Sequence, residues 1–175
     1  MNRIFTTLIS IFIFYYSSAQ ELSKDKVYTI REEVRSESRK LVALLESNDT
    51  SSLQNYLLNW DNYLALKKEL EAQGKGDIKQ NAYTPAQYQK MNDMVLASLP
   101  RTRAKITKRY GDSQSINIKD IIVEMKMDSK RVPMYSIDIE FEKNYKPHLL
   151  KIEGLIKFQG KYYLLGGFEA ILSNK

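Results

Sequence analysis

The stretch from Ile121 to Phe168 constrains the fold more than any other part of the sequence, because runs of alternating apolar residues follow one another within it. The runs are IIVEMKM, YSIDIEFE, LLKIEGLIKF and KYYLLGGF, and such alternation is typical of strands with one buried face. Gln159-Gly160 predicts a two-residue hairpin turn, since glycine readily adopts a positive φ. These runs and turns predict a four-stranded antiparallel β-meander.

The short turn also predicts the register of the last hairpin, because a two-residue loop determines which residues lie opposite each other. On the face that helices would cover, Ile156 lies opposite Tyr163 and Gly154 lies opposite Leu165. Glycine has no side chain to fill space, so we expect any cavity in the core to open at Gly154.

The same register predicts an apolar island on the outer face of the last hairpin, where Leu155 lies opposite Leu164 and Tyr162 is nearby. Two explanations fit such an island. It forms a homodimer contact through the outer sheet face, or the C-terminal FEAIL segment folds over it.

Upstream of the strands, apolar residues recur at helical spacing within residues 21–111. We predict helices at 21–48 and 52–72, then a loop of low apolar content and a third helix that ends near residue 111. Helices are the available cover for the buried face of the sheet at 116–172. The predicted fold class is therefore α+β, with three N-terminal helices packed on one face of a C-terminal four-stranded antiparallel β-meander.

The third helix has the clearest start signal in the chain. Thr84 is a good N-cap, Pro85 suits the first helical position, and Gln87 stands where a capping box places Glu or Gln. Pro100 has no N–H to donate, so it predicts a kink or an end to the helix. If the helix resumes, Gly111 predicts its end.

Residues 1–19 have the layout of a secretory signal peptide, with Arg3 near the start, an apolar run, and small residues that end at Ala19. We expect cleavage before Gln20, a periplasmic or secreted protein, and a single α+β domain at 20–175. The alternative is an uncleaved N-terminal anchor, although the apolar run is shorter than the about 20 residues a span needs. No transmembrane span is expected after cleavage. The chain has no cysteine, so a core must stabilise it.

The net charge is +6, but many acidic residues are interspersed with the basic ones. This mixture argues against nucleic acid as a partner. One segment, PRTRAKITKRYG, nevertheless carries five cations and no acid: Arg101, Arg103, Lys105, Lys108 and Arg109. This pattern predicts a patch that binds an acidic protein, an anionic glycan or a lipid headgroup. The alternative is a solvated helix face.

The sequence contains no recognisable catalytic constellation, and we predict neither a catalytic residue nor a cofactor. The sole histidine, His148, follows Pro147 and is expected in an exposed turn. No clustering of His with acidic residues has metal-ligand spacing, so we predict no metal site.

Two segments, LLESNDTSSLQNYL and IEGLIKFQGKYYLLGGF, resemble parts of the nuclear-transport-factor-two-like (cystatin-like) superfamily. The first is similar to the loop between that family's first helices, and the second to its final strands. The resemblance implies an α+β cone in which helices pack on a curved antiparallel sheet. It implies a fold rather than an activity.

These observations favour an exported, non-enzymatic binding or interaction module. The alternatives are a small-molecule enzyme or carrier with a pocket between helices and sheet, and a periplasmic immunity-type protein that neutralises a toxin. For a pocket, the predicted lining is Trp60, Tyr135, Gly154 and Tyr163. Partners would be an envelope protein, a glycan or a small molecule.

Overall fold

A computed structural model describes this chain at residues 31–72, 83–111, 116–127, 132–143 and 145–172. The predicted signal peptide, the start of the first predicted helix and nearly all of the loop after the second lie outside these residues. By its contacts the chain divides into units Met1–Ser36 and Glu37–Lys175. In the first unit, residues 31–36 are helical and Arg35 donates a hydrogen bond to Glu32 at 3.0 Å.

The described helices precede the described strands along the chain. Residues 31–47 form helix α1. The later helical elements are α2 (Thr50–Leu53), a 3₁₀ turn (Gln54–Tyr56), α3 (Trp60–Ala72) and α4 (Pro85–Tyr110). The strands are β1 (Asn117–Met127), β2 (Met134–Lys143), β3 (Lys146–Phe158), β4 (Lys161–Leu164) and β5 (Phe168–Leu172). The predicted α+β class, with N-terminal helices packed against an antiparallel sheet, is confirmed.

The predicted helix at 52–72 is wrong in its first half, because the chain leaves the helical conformation between the 3₁₀ turn and α3. Leu57 is extended, with φ −94° and ψ 138°. The side-chain oxygen of Asn59 then accepts the N–H of Asn62 at 2.8 Å. Asparagine in this position restarts a helix by satisfying an N–H that has no partner within the helix. Leucines and Trp60 recur at helical spacing through this region, so the sequence pattern does not reveal the break.

Helix α4 begins with the predicted capping box. Thr84 accepts the N–H of Gln87, and the Gln87 side chain accepts the N–H of Thr84 at 2.9 Å. The helix continues through Pro100 to Tyr110, and Gly111 caps it at φ 75°. Proline removes a hydrogen bond from the helix, but residues on both sides of it are buried, and their packing keeps the helix continuous. Among the described helices, none is long and apolar enough to cross a lipid bilayer.

The sheet is a meander in the order β1-β2-β3-β4, and β5 also pairs with β3. The β3–β4 turn has positive φ at both Gln159 and Gly160, as a tight hairpin turn requires. The predicted pairs Leu155–Leu164 and Ile156–Tyr163 are confirmed. Near the start of β1 the β1–β2 register shifts between residues 118 and 120, as at a β-bulge.

A bulge at Gly154 changes which face each later residue of β3 occupies. Across β2, Ile137 pairs with Ile152 whereas Tyr135 pairs with Leu155, so β3 gains one residue between these pairs. Gly154 adopts φ +67°, which glycine tolerates without strain. The shift places Leu155 on the same face as Ile152.

The predicted outer apolar island is therefore wrong. Leu155 and its partner Leu164 lie on the face of Tyr135 and Ile137, and they are 0% and 1% exposed. The sequence reading carried the alternation of β3 straight through Gly154 and so reversed the two faces. Because both leucines are buried, they are not available for the homodimer contact that was predicted on this face.

The opposite face of the hairpin is also buried. Ile156, Phe158 and Tyr163 form a core cluster with Leu58, Leu66, Tyr88 and Val132. The cluster joins the start of α4 and the inner side of α3 to the β3–β4 hairpin. Both faces of the hairpin therefore contribute to burial of apolar surface.

Replacing Gly154 with alanine should lower the free energy of unfolding by about 2–3 kcal/mol, since φ +67° is strained for alanine. The added Cβ would also lie 3.1 Å from the amide nitrogen of Gly166. Gly160→Ala is the matched control, because its φ is +78° but nothing lies within 4 Å of its Cβ position. We expect it to lose about 1 kcal/mol. Urea denaturation compares the two, and equal losses would contradict a packing constraint at Gly154.

Candidate functional site

Helix α4 binds the outer edge of β5 through side chains. The hydroxyl of Thr102 donates to the carbonyl oxygen of Phe168 at 2.9 Å, and the N–H of Phe168 donates to Ser98 Oγ at 3.0 Å. Lys105 Nζ donates to the carbonyl oxygen of Ala170 at 2.6 Å. We call these three contacts the α4–β5 latch. The latch holds the basic half of α4 beside the last strand.

The latch satisfies backbone groups that β5 would otherwise expose. β5 pairs with β3 through residues 168–172 on one side. Its other edge would present unpaired N–H and C=O groups, which attract additional strands. Side chains of α4 form hydrogen bonds with the backbone of Phe168 and Ala170, so this part of the edge cannot pair with a further strand.

Beyond the latch, a groove of about 610 Å³ opens between α4 and β5. We call it the basic groove, and its lining is Lys105, Lys108, Arg109, Glu169, Ile171 and Leu172. Lys108 and Arg109 are exposed, and Ile171 is 44% exposed. The groove therefore combines positive charge on the helix side with two apolar side chains and the Glu169 carboxylate on the strand side.

The structure separates the five cations predicted as one patch. Lys105, Lys108 and Arg109 line the basic groove. Arg101 lines a neighbouring groove instead. Arg103 is half-buried, and its guanidinium donates to the carbonyl oxygen of Glu46 in α1. Arg103 therefore ties two helices together.

The neighbouring groove, of about 280 Å³, lies between α4 and the break between β4 and β5. We call it the methionine groove, because its lining includes Met91, Met94, Arg101, Glu153, Leu165 and Glu169. Met94 is 62% exposed, which is high for a large apolar side chain. Methionine side chains adapt to irregular partners, so this surface suits an apolar ligand group.

The four residues predicted to line an interior pocket do not meet. Trp60 and Tyr163 belong to the core cluster around α3, whereas Tyr135 projects from the opposite face of the sheet. At Gly154 the expected cavity is occupied, because Leu165 Cβ and the amide nitrogen of Gly166 lie 3.2 Å and 3.1 Å from a Cβ built there. The structure thus places Tyr135 apart from Trp60 and Tyr163, on the other face of the sheet.

Trp60 is part of an aromatic group rather than an isolated platform. Its ring centroid lies 5.3 Å from that of Tyr63 and 5.7 Å from that of Tyr88. Tyr63 and Tyr88 stack at 4.4 Å, and the Tyr88 hydroxyl donates to the carbonyl oxygen of Leu58 at 3.1 Å. Burial raises the pKa of Tyr88 to about 12, so this hydroxyl stays protonated and keeps its donor role.

His148 lies in β3, not in an exposed turn, and it is only 4% exposed. Its strand position follows from the pairing of β3 with β2, which places it opposite Phe141. The imidazole packs between the rings of Phe141 and Tyr110, with centroids 5.2 Å and 4.8 Å away. Proline next to the histidine misled the sequence reading, because proline is tolerated near a strand end.

Sequence reasoning missed the β5 half of the basic groove, which consists of Glu169, Ile171 and Leu172. The segment FEAIL forms β5 and pairs with β3, rather than folding over the outer face of the hairpin. Its burial alternates as in a strand, but the sequence shows no such alternation, because Ala170, Ile171 and Leu172 are all apolar.

Comparisons with protein-family models, with curated proteins and with solved structures found no match for this chain. The resemblance to the cone superfamily therefore stays a prediction. Within the described residues, no group of three or more His, Asp or Glu side chains is placed to hold a metal ion.

Thr102→Val should lower the free energy of unfolding by about 1–2 kcal/mol, because it keeps the side-chain shape but leaves the carbonyl oxygen of Phe168 without its donor. Urea denaturation measures the loss. The control is Thr107→Val at a half-buried position of the same helix, which should change stability by about 0.5 kcal/mol or less. A loss from Thr102→Val no larger than the control would contradict the latch.

His148 should make stability depend on pH, because burial lowers its pKa. The charges of Arg109 and Lys146 lower it further, while a hydrogen bond with the Lys143 backbone opposes the shift. The unfolded chain then binds the proton first as pH falls, so stability is complete above the unfolded pKa of 6.5 and declines below it. His148→Gln should flatten the decline between about pH 7.5 and pH 5.5 in urea denaturation.

No other histidine titrates in this window, since His148 is the sole one in the chain. The comparison of the two pH profiles therefore isolates this side chain. Parallel profiles for the wild type and His148→Gln would rule out the buried, shifted imidazole.

Proposed function

We propose that this protein is an exported, non-enzymatic binding module that holds an anionic ligand in the basic groove. The observation that carries the proposal is the groove itself, where Lys105, Lys108 and Arg109 face the apolar side chains of Ile171 and Leu172. A concave site of this size, with a few charged groups beside apolar surface, is typical of ligand sites.

The positions of the lysines on α4 support the proposal. Lys105 and Lys108 are three residues apart and lie on one side of the helix. Lys108 forms no salt bridge with any residue that the structure describes. An anion here would therefore gain attraction without displacing an internal partner of Lys108.

The latch supports the proposal in a second way. Lys105 is held by Ala170 at one end of the groove, and this contact sets the distance between α4 and β5. A groove whose walls are already fixed loses less conformational entropy on binding. The cations are thus presented on a preformed surface.

Fluorescence anisotropy with a labelled oligoglutamate tests the proposal at low salt. The double variant Lys108→Ser/Arg109→Ser should bind about tenfold more weakly than the wild type, since it removes two cations from the groove. Added salt should weaken wild-type binding in the same direction.

The matched control is Lys68→Ser/Lys90→Ser, which removes the same net charge from exposed lysines outside both grooves. It should bind like the wild type apart from a small long-range effect. The proposal fails if the oligoglutamate does not bind, or if the control loses as much affinity as the groove variant. Thermal unfolding of each variant checks that it remains folded.

A further inference from the structure

The basic groove and the methionine groove form one track along α4. They share Glu169, which lines both. The helix residues that line the track recur every three or four positions, namely Met91, Met94, Ser98, Arg101, Lys105 and Lys108. Such spacing places them on one side of a helix. A single ligand that follows this side of α4 would contact both grooves.

The length of the track suits an extended chain rather than a compact molecule. At a rise of about 1.5 Å per residue, the helix advances about 21 Å between Met94 and Lys108. An extended peptide covers that distance with about six residues. Neither groove alone would hold a ligand of that length.

The chemistry of the track changes along its length. One end is apolar, with Met91, the exposed Met94 and Leu165. The other end is basic, with Lys108 and Arg109. A matching ligand therefore carries an apolar group and an anionic group at opposite ends.

Polar residues in the middle of the track favour a peptide over a lipid as the ligand. Arg101 and Glu169 lie there, and Glu153 adds a second carboxylate to the methionine groove beside Gly166. Arg101 forms no salt bridge with any described residue. An acyl chain crossing this region would desolvate carboxylates and a guanidinium without replacing their hydrogen bonds. A peptide backbone offers N–H groups to the carboxylates and C=O groups to Arg101.

Recognition would proceed through these side chains rather than through addition of a strand to the sheet. The latch already uses backbone groups of Phe168 and Ala170 on the outer edge of β5. A peptide in the track therefore lies against α4 and the side chains of β5.

We propose that the anionic ligand is an extended peptide segment with an apolar residue in the methionine groove and acidic residues about six positions away in the basic groove. This inference rests on the proposed function and names the class of its ligand. The partner is thus an acidic, exposed segment of another protein.

Anisotropy with labelled peptides tests the inference on the full chain. The anchored peptides contain a leucine and a short run of glutamates separated by about five glycine and serine residues, in either order along the chain. The comparison peptides lack the leucine, or place it next to the glutamates. One of the two anchored orders should bind about tenfold or more tightly than both comparisons, because burying a leucine contributes that much.

Two variants separate the ends of the track. Met94→Ser should reduce binding of the anchored peptide to the level of the peptide without leucine, and should leave that second peptide unaffected. Lys108→Ser should weaken both peptides. Gln89→Ser, on an exposed position of α4 outside both grooves, should change neither.

Three outcomes would overturn the inference. If the acidic peptides bind and the leucine adds nothing at any spacing, the extended-peptide inference fails and the proposed anion binding stands. If decanoate competes with the anchored peptide and binds as tightly, the track holds an acyl chain instead. If no acidic peptide binds, the proposed function fails and this inference fails with it.

Discussion

The left-handed backbone of Gly154 is the constraint on which the rest of this structure depends. It inserts an extra residue into β3, and the N–H of Gly166 donates to the carbonyl oxygen of Glu153 beside this bulge at 3.1 Å. Beside this bulge the neighbouring chain leaves the regular ladder, so that β4 ends at Leu164 and β5 begins at Phe168. A single bulge thereby divides β3 into one half that pairs with β4 and another that pairs with β5.

Each half of β3 then has its own surroundings. The half next to β4 is buried on both faces, because the core cluster covers Ile156 and Phe158 while Leu155 faces the other way. The other half pairs with β5, and polar side chains of α4 join that helix to β5. The grooves lie at this second half, where the sheet edge meets the basic part of the helix.

Much of the fold followed from local signals in the sequence. The capping box at Thr84, the Gln159-Gly160 turn and the alternation of β2 each act within a few residues, and the structure agrees with all three. The errors arose where one residue changes a longer pattern. Asn59 restarts a helix inside a continuous apolar stripe, and Gly154 reverses the faces of a strand.

The candidate site was predictable only in part, for a similar reason. A run of cations on α4 is visible in the sequence, and Lys105, Lys108 and Arg109 of this run line the basic groove. Which cations face the groove depends on distant partners such as Glu46, which Arg103 contacts from another helix. The strand side of the groove depends on the pairing of β5 with β3. The short final segment carries no sequence signal that predicts this pairing.

The latch also affects the order in which this chain acquires its structure. Its three contacts join residues that are 65 to 70 positions apart, whereas the β3–β4 hairpin closes across two residues. Contacts between distant residues form late, because closing a long loop costs more entropy. The groove is therefore the last feature to assemble, and a chain that stops short of its final strand would keep the hairpin but lack one wall of the groove.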